Sequence, residues 1–94
     1  MYIHIGNNFV AREEEIIGIF DLESTTISKR TRYFLKKNEK DGKIENIAFD
    51  IPKSFIVCSK EKNKNKIYLS QVSSATLFKR YENIENIKIK RRKK

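Results

Sequence analysis

The chain has 94 residues, enough for one small domain with a modest core. Its 38% apolar and 35% charged residues make it polar without making it disordered, because the apolar residues cluster. It carries a net charge of +9 from 21 Lys+Arg against 12 Asp+Glu, a single cysteine that rules out an internal disulfide, and no apolar run near the ~18 residues a membrane span needs.

The charge is unevenly placed. Residues 88–94 hold six positive charges and no negative one, which leaves residues 1–87 with a net of only +3. The expected organisation is a single domain over residues 1–87 and a flexible basic tail over 88–94. Both parts favour a polyanionic partner. With no signal-peptide pattern at its start, the chain is expected to be cytoplasmic.

In chain order, residues 1–5 read as a strand with Ile3 and Ile5 on one face. Gly6-Asn7-Asn8 is turn chemistry, because Gly and Asn tolerate positive φ. Residues 9–12 return as a second strand, and Glu13-Glu14-Glu15 is a polar connection of about one helical turn. Ile16-Ile17-Gly18-Ile19-Phe20 is nearly all apolar and is expected as a buried central strand.

Ser24-Thr25-Thr26 offers hydroxyls to cap a helix over residues 26–37. Ile27, Thr31, Phe34 and Leu35 form its apolar face, and Gly42 ends it. Residues 43–50 fit either an irregular or an extended path. Pro52 fixes an extended entry to a strand over residues 54–59. Residues 60–66 contain no apolar side chain and read as a solvated hairpin loop, whose lysines are expected to aid solubility. A strand over residues 67–70 follows. Ser73 or Ser74 then caps a last helix with Leu77, Phe78, Tyr81 and Ile84, and the alternation at residues 87–90 suggests a short extended piece. The expected class is α+β: a small, mainly antiparallel sheet with two helices on one face.

Enzymatic chemistry finds little support in these residues. His4 is the only histidine and Cys58 the only cysteine, and no motif surrounds either. They are expected as a packed or interfacial imidazole and a buried reduced thiol. The scattered carboxylates Asp21, Glu23, Asp41 and Asp50 define no metal site. No phosphate loop is formed by Gly6, Gly18 and Gly42. Neither a cofactor, a metal nor a small-molecule substrate is expected. Phe9, Phe20, Phe34, Phe49, Phe55 and Phe78 have aliphatic neighbours and are expected in the core.

The helix over residues 26–37 holds Lys29, Arg30, Arg32, Lys36 and Lys37 and no acid. An ordinary solvated face has a similar composition. Nothing in folding asks for an acid-free helix, which tilts the reading toward phosphate contacts.

Three segments together resemble the RemB branch of the RemA/RemB family of extracellular-matrix (biofilm) regulators. The first is Met1-Tyr2-Ile3-His4-Ile5-Gly6-Asn7-Asn8-Phe9-Val10 with Glu15-Ile16-Ile17-Gly18-Ile19-Phe20-Asp21. The second is Ile51-Pro52-Lys53-Ser54-Phe55-Ile56-Val57. The third is Tyr68-Leu69-Ser70 with Ser74-Ala75-Thr76-Leu77-Phe78-Lys79-Arg80. The resemblance covers residues 1–81 and implies a DNA-binding activator of matrix genes. It also implies a fold similar in part to LytTR-type domains, and assembly of copies into a dimer or ring that binds double-stranded DNA. Where the RemA branch has paired arginines before the strand that begins near Ser54, this chain has Asp50-Ile51-Pro52-Lys53. Lys53 is the DNA contact the resemblance carries over, with Arg12 beside it. Lys79 and Arg80 are open to either DNA contact or a subunit contact. The competing readings are an RNA-binding protein acting through its tail and a non-catalytic interaction domain.

Overall fold

The computed structural model describes residues 1–23, 27–61 and 64–92, the side chains of residue 61 and of residues 88–92 excepted. Among the described residues, six strands and two helices form an α+β domain. Strands β1 (Tyr2–Gly6) and β2 (Phe9–Arg12) pair as an antiparallel hairpin, followed by a 3₁₀ turn at Glu13–Glu15. β3 (Ile16–Asp21), β4 (Ile44–Asn46), β5 (Ser54–Glu61) and β6 (Lys64–Ser70) form a second sheet in the order β3-β5-β6-β4. Its pairings are antiparallel except β4 with β6, which is parallel. α1 spans Lys29–Lys40 and α2 spans Ser74–Arg92.

Side chains alternate across β5, and that alternation splits the core in two. Phe55 and Val57 face one side with Ile67, under Leu35 of α1. Ile56 and Cys58 face the other side, under Leu77 of α2 and Ile3, Ile5 and Ala11 of the hairpin. The helices therefore lie on opposite faces of the sheet, not on one face as the sequence suggested. The hairpin turn uses Asn7 and Asn8 at φ 43° and 67°, as its composition predicted.

Four further expectations are corrected. β3 is an edge strand, not a central one. Ile17 is an extra residue in a bulge between Ile16 and Gly18, is 61% exposed, and only Ile19 of this strand is buried. α1 starts three residues later than expected, because Ser28 caps it: Ser28 Oγ accepts the Thr31 N–H at 3.1 Å. The cap expected at Ser24-Thr25-Thr26 falls on residues outside the described ones. The supposed loop at residues 60–66 is mostly strand, because backbone pairing carries β5 and β6 past their apolar residues, with residues 62 and 63 outside the description. Residues 87–90, expected as extended, continue α2. No Gly or Pro interrupts the chain after Pro52, and the backbone stays helical to Arg92, through residues 88–92 of the expected tail. The α2 cap is Ser73, whose Oγ accepts the Thr76 N–H at 3.3 Å.

The phenylalanines also differ from expectation. Only Phe55 is buried, while Phe9, Phe20, Phe34, Phe49 and Phe78 are all substantially exposed. A two-layered core this small encloses β-branched strand residues but has no third layer to cover the rings that point outward.

Candidate nucleic-acid interface

α1 gathers most of the predicted cations. Its sequence, Lys-Arg-Thr-Arg-Tyr-Phe-Leu-Lys-Lys-Asn-Glu-Lys, turns Leu35 onto the sheet and sends Lys29, Arg32, Lys36, Lys37 and Lys40 outward around Tyr33. Lys40 was missed because the sequence reading stopped the helix at residue 37. Its recurrence four residues after Lys36 was the available signal. Tyr33 is 69% exposed and lies over a shallow depression with Lys36, Lys37 and Lys40.

Two features separate this face from an ordinary solvated one. First, half of the helix's six cations sit at its unfavourable end. Lys29, Arg30 and Arg32 occupy the first turn with no acid among them, against the positive end of the helix dipole. Each such placement costs about 0.3–1 kcal/mol in the absence of an anion. Second, no α1 cation makes an ion pair among the described residues, and Glu39 is the helix's single acid. The lysines of the β5–β6 hairpin behave differently. Lys60 lies 3.6 Å from Glu15 and over the Tyr68 ring, and Lys66 lies 3.4 Å from Glu45.

The other predicted residues are dispersed. Lys53 sits at the sheet end where three strands meet. Its N–H donates to the Ser70 carbonyl and its carbonyl accepts from the Leu22 N–H, both at 2.8 Å, while its side chain is exposed. Arg12 is engaged, with Nη2 donating to Glu14 Oε2 at 3.0 Å. Arg80 is also engaged, with Nη1 donating to the His4 carbonyl at 2.7 Å, which ties α2 to the hairpin. Lys79 is exposed on α2. Arg12, Lys79 and Arg80 thus belong to the elements covering the sheet face opposite α1, so the nine residues do not form one surface. Arg30 turns from the outer face of α1 toward a groove beside β3.

The remaining chemistry is sparse. Cys58 is fully buried, and desolvation pushes its thiol up to about 11, with Lys60 pulling it down and Glu15 adding to the rise. Such a thiol is not a nucleophile at neutral pH. His4 is exposed on β1. Among the described residues no cluster of three His, Cys, Asp or Glu side chains is placed to hold a metal, and no helix is long and apolar enough to cross a membrane.

These features define a small basic α+β domain whose concentrated chemistry is one cationic helix face. Residues 2–81 match the RemA-like family model, described as Extracellular matrix regulatory protein A-like, and the chain belongs to that family. It is similar to Extracellular matrix regulatory protein B of Bacillus subtilis (strain 168), with 39% identity over 80 residues, covering 85% of this chain and 89% of that protein. The family match ends at Tyr81, so the rest of α2 and the basic C-terminal residues lie beyond it.

Proposed function

We propose that this protein is a cytoplasmic, non-catalytic regulator that activates extracellular-matrix genes by binding double-stranded DNA as an assembly of copies. Family membership and the relative's name support the regulatory part. The observation that carries the DNA part is the outer face of α1. Its cations stand unpaired among the described residues, and Lys29 and Arg32 in the first turn also stand against the helix dipole, an arrangement that phosphate would relieve. Lys53 adds an exposed cation at the sheet end. Each copy contributes few contacts, so an assembly gains affinity by avidity. Discrimination between sites then comes largely from duplex shape and bendability. The exposed ring of Tyr33 among lysines favours one second reading, base stacking on single-stranded RNA.

Fluorescence anisotropy over a salt series tests this on three full-length chains: the natural one, Lys36→Ala/Lys37→Ala/Lys40→Ala, and one with the basic residues of 88–94 replaced by glutamine. Each lost phosphate contact lowers the slope of log affinity against log salt by about 0.9. The α1 variant is expected to lose slope and the tail variant to keep most of it. The opposite pattern makes the tail the binder and removes the α1 reading. Stronger binding of single-stranded RNA than of duplex replaces it with the second reading.

A further inference from the structure

Beside α1 the sheet keeps an apolar hollow that the core does not fill. Alternation along β5 turns Phe55 and Val57 toward α1, and both are buried. β3 is an edge strand, so no further strand among the described residues closes that side of the sheet. What remains is a groove of about 490 Å³, with Phe55 and Val57 at its base, Ile17 and Phe20 of β3 on one side and Phe34 of α1 on the other. Ile17, Phe20 and Phe34 are 61%, 47% and 38% exposed, so the groove presents hydrocarbon to water.

The groove is preformed. The Phe20 ring stacks on Phe55 with centroids 4.8 Å apart and planes 17° apart, and Phe34 tilts onto Phe55 at 6.3 Å. Gly18, with no side chain, leaves the room in which the Phe20 ring lies. A concave, mainly apolar site of this volume takes a small molecule, oriented by the few polar groups that line it.

The charge of the groove states what that molecule is. Arg30 is the one charged residue lining it, the others being neutral, and Arg30 makes no ion pair among the described residues. It belongs to the first turn of α1, where the helix dipole also favours an anion. A guanidinium fork matches a carboxylate with two parallel N–H···O bonds. One cation balances one negative charge, and the aromatic and aliphatic walls leave hydrocarbon as the rest of the ligand.

We propose that the β3–α1 groove is a binding site for a hydrocarbon monocarboxylate, a fatty acid or an arylalkanoic acid. Its hydrocarbon lies against Phe20, Phe34 and Phe55, and its carboxylate pairs with Arg30. The site goes beyond the function proposed above and does not depend on it, because it uses the inward edge of α1 and leaves the outer cations to the phosphates.

Isothermal titration calorimetry of the full chain reads the affinity, with sodium dodecanoate below its micelle concentration and with phenylbutanoate as probes. Isoleucine-methyl NMR reads the place. One ligand per chain is expected, with the Ile17 methyl signal moving and those of Ile3 and Ile5, on the opposite face of the sheet, staying in place. Whichever probe binds more tightly shows whether the hydrocarbon is a chain or a ring. Arg30→Gln should weaken binding about tenfold or more, while Lys79→Gln, which removes the same charge from α2, should change it by less than about twofold. Ile17→Glu, which puts an acid into the groove at an exposed position, should abolish binding. Circular dichroism confirms that each variant is folded. Absence of saturable binding of either probe overturns the proposal, as does unchanged binding by Ile17→Glu. Equal losses from Arg30→Gln and Lys79→Gln, or methyl shifts confined to the opposite face, reduce the effect to general attraction toward a basic protein and also overturn it. Dodecylammonium binding as tightly as dodecanoate overturns the pairing with Arg30.

Discussion

Ser70 Oγ donates a hydrogen bond to the Ile5 carbonyl at 2.5 Å, joining the N-terminal hairpin to the central sheet across 65 residues of sequence. The same oxygen accepts the Val72 N–H at 3.0 Å, and Ser70 is fully buried. Ser70→Ala removes both partners from groups with little access to water. It should cost about 1–3 kcal/mol, read as a lower urea midpoint with an unchanged slope. An unchanged midpoint would mean that the hairpin is held by packing alone.

Gly18 lies beneath the Phe20 ring. A Cβ there would stand 2.6 Å from Phe20 Cε2, and the ring is stacked on Phe55 at 4.8 Å between centroids. Gly18→Ala should displace Phe20 from that stack, at about 0.5–1.5 kcal/mol. Removing a glycine from the unfolded chain offsets this by about 0.4–1 kcal/mol. Stability should therefore change by less than about 1 kcal/mol, while the ring-current shifts of Phe55 in the NMR spectrum are lost. Retained shifts would place the ring elsewhere in solution.

Cys58 makes alkaline stability a test of burial. Its thiol titrates near 11 when folded, against 9.0 for an unperturbed one. Folding therefore favours the protonated form. That stability is complete below pH 9, where the thiol is protonated in both states, and falls as pH rises toward 11, because only the unfolded chain loses its proton. The full loss is about 3 kcal/mol at 1.36 kcal/mol per unit. Cys58→Ala should flatten the fall between pH 9 and 11 relative to the natural chain, as followed by urea unfolding. Equal slopes would show that the thiol is hydrated.

Lys29 opens α1, where a cation opposes the helix dipole. Lys29→Glu should raise helix stability by about 0.3–1 kcal/mol and the melting temperature with it. The same change should weaken duplex DNA binding and reduce its salt dependence. A variant that is more stable and binds equally well would remove the first turn of α1 from the interface.

Lys53 and Arg80 should separate binding from folding. Lys53 has an exposed side chain and, among the described residues, only backbone hydrogen bonds, so Lys53→Ala should weaken duplex affinity without shifting the melting temperature. Arg80 donates to the His4 carbonyl, so Arg80→Ala should cost about 1 kcal/mol of stability and leave affinity nearly unchanged. The reverse pattern would move the interface to the α2 face.

The sequence by itself determined both helices and every strand but β4, though not their ends, together with the hairpin turn at Asn7 and Asn8, the burial of Cys58 and the density of cations on α1. These follow from local chemistry: alternation, tolerance of positive φ, and helical spacing. The resemblance carried by three ordered segments was also legible there, and the family match confirmed it. Tertiary structure decided the rest. β3 reads as a core strand because Ile16 to Phe20 are apolar, yet strand order puts it at the sheet edge, and order depends on pairing partners far along the chain. Arg80 looks like Lys36 in sequence, but folding brings the His4 carbonyl to it from 76 residues away and, among the described residues, brings no ion-pair partner to Lys36. Whether a cation is free to bind depends on what the folded chain places beside it. That placement comes from long-range packing of two faces across β5, which no local pattern encodes.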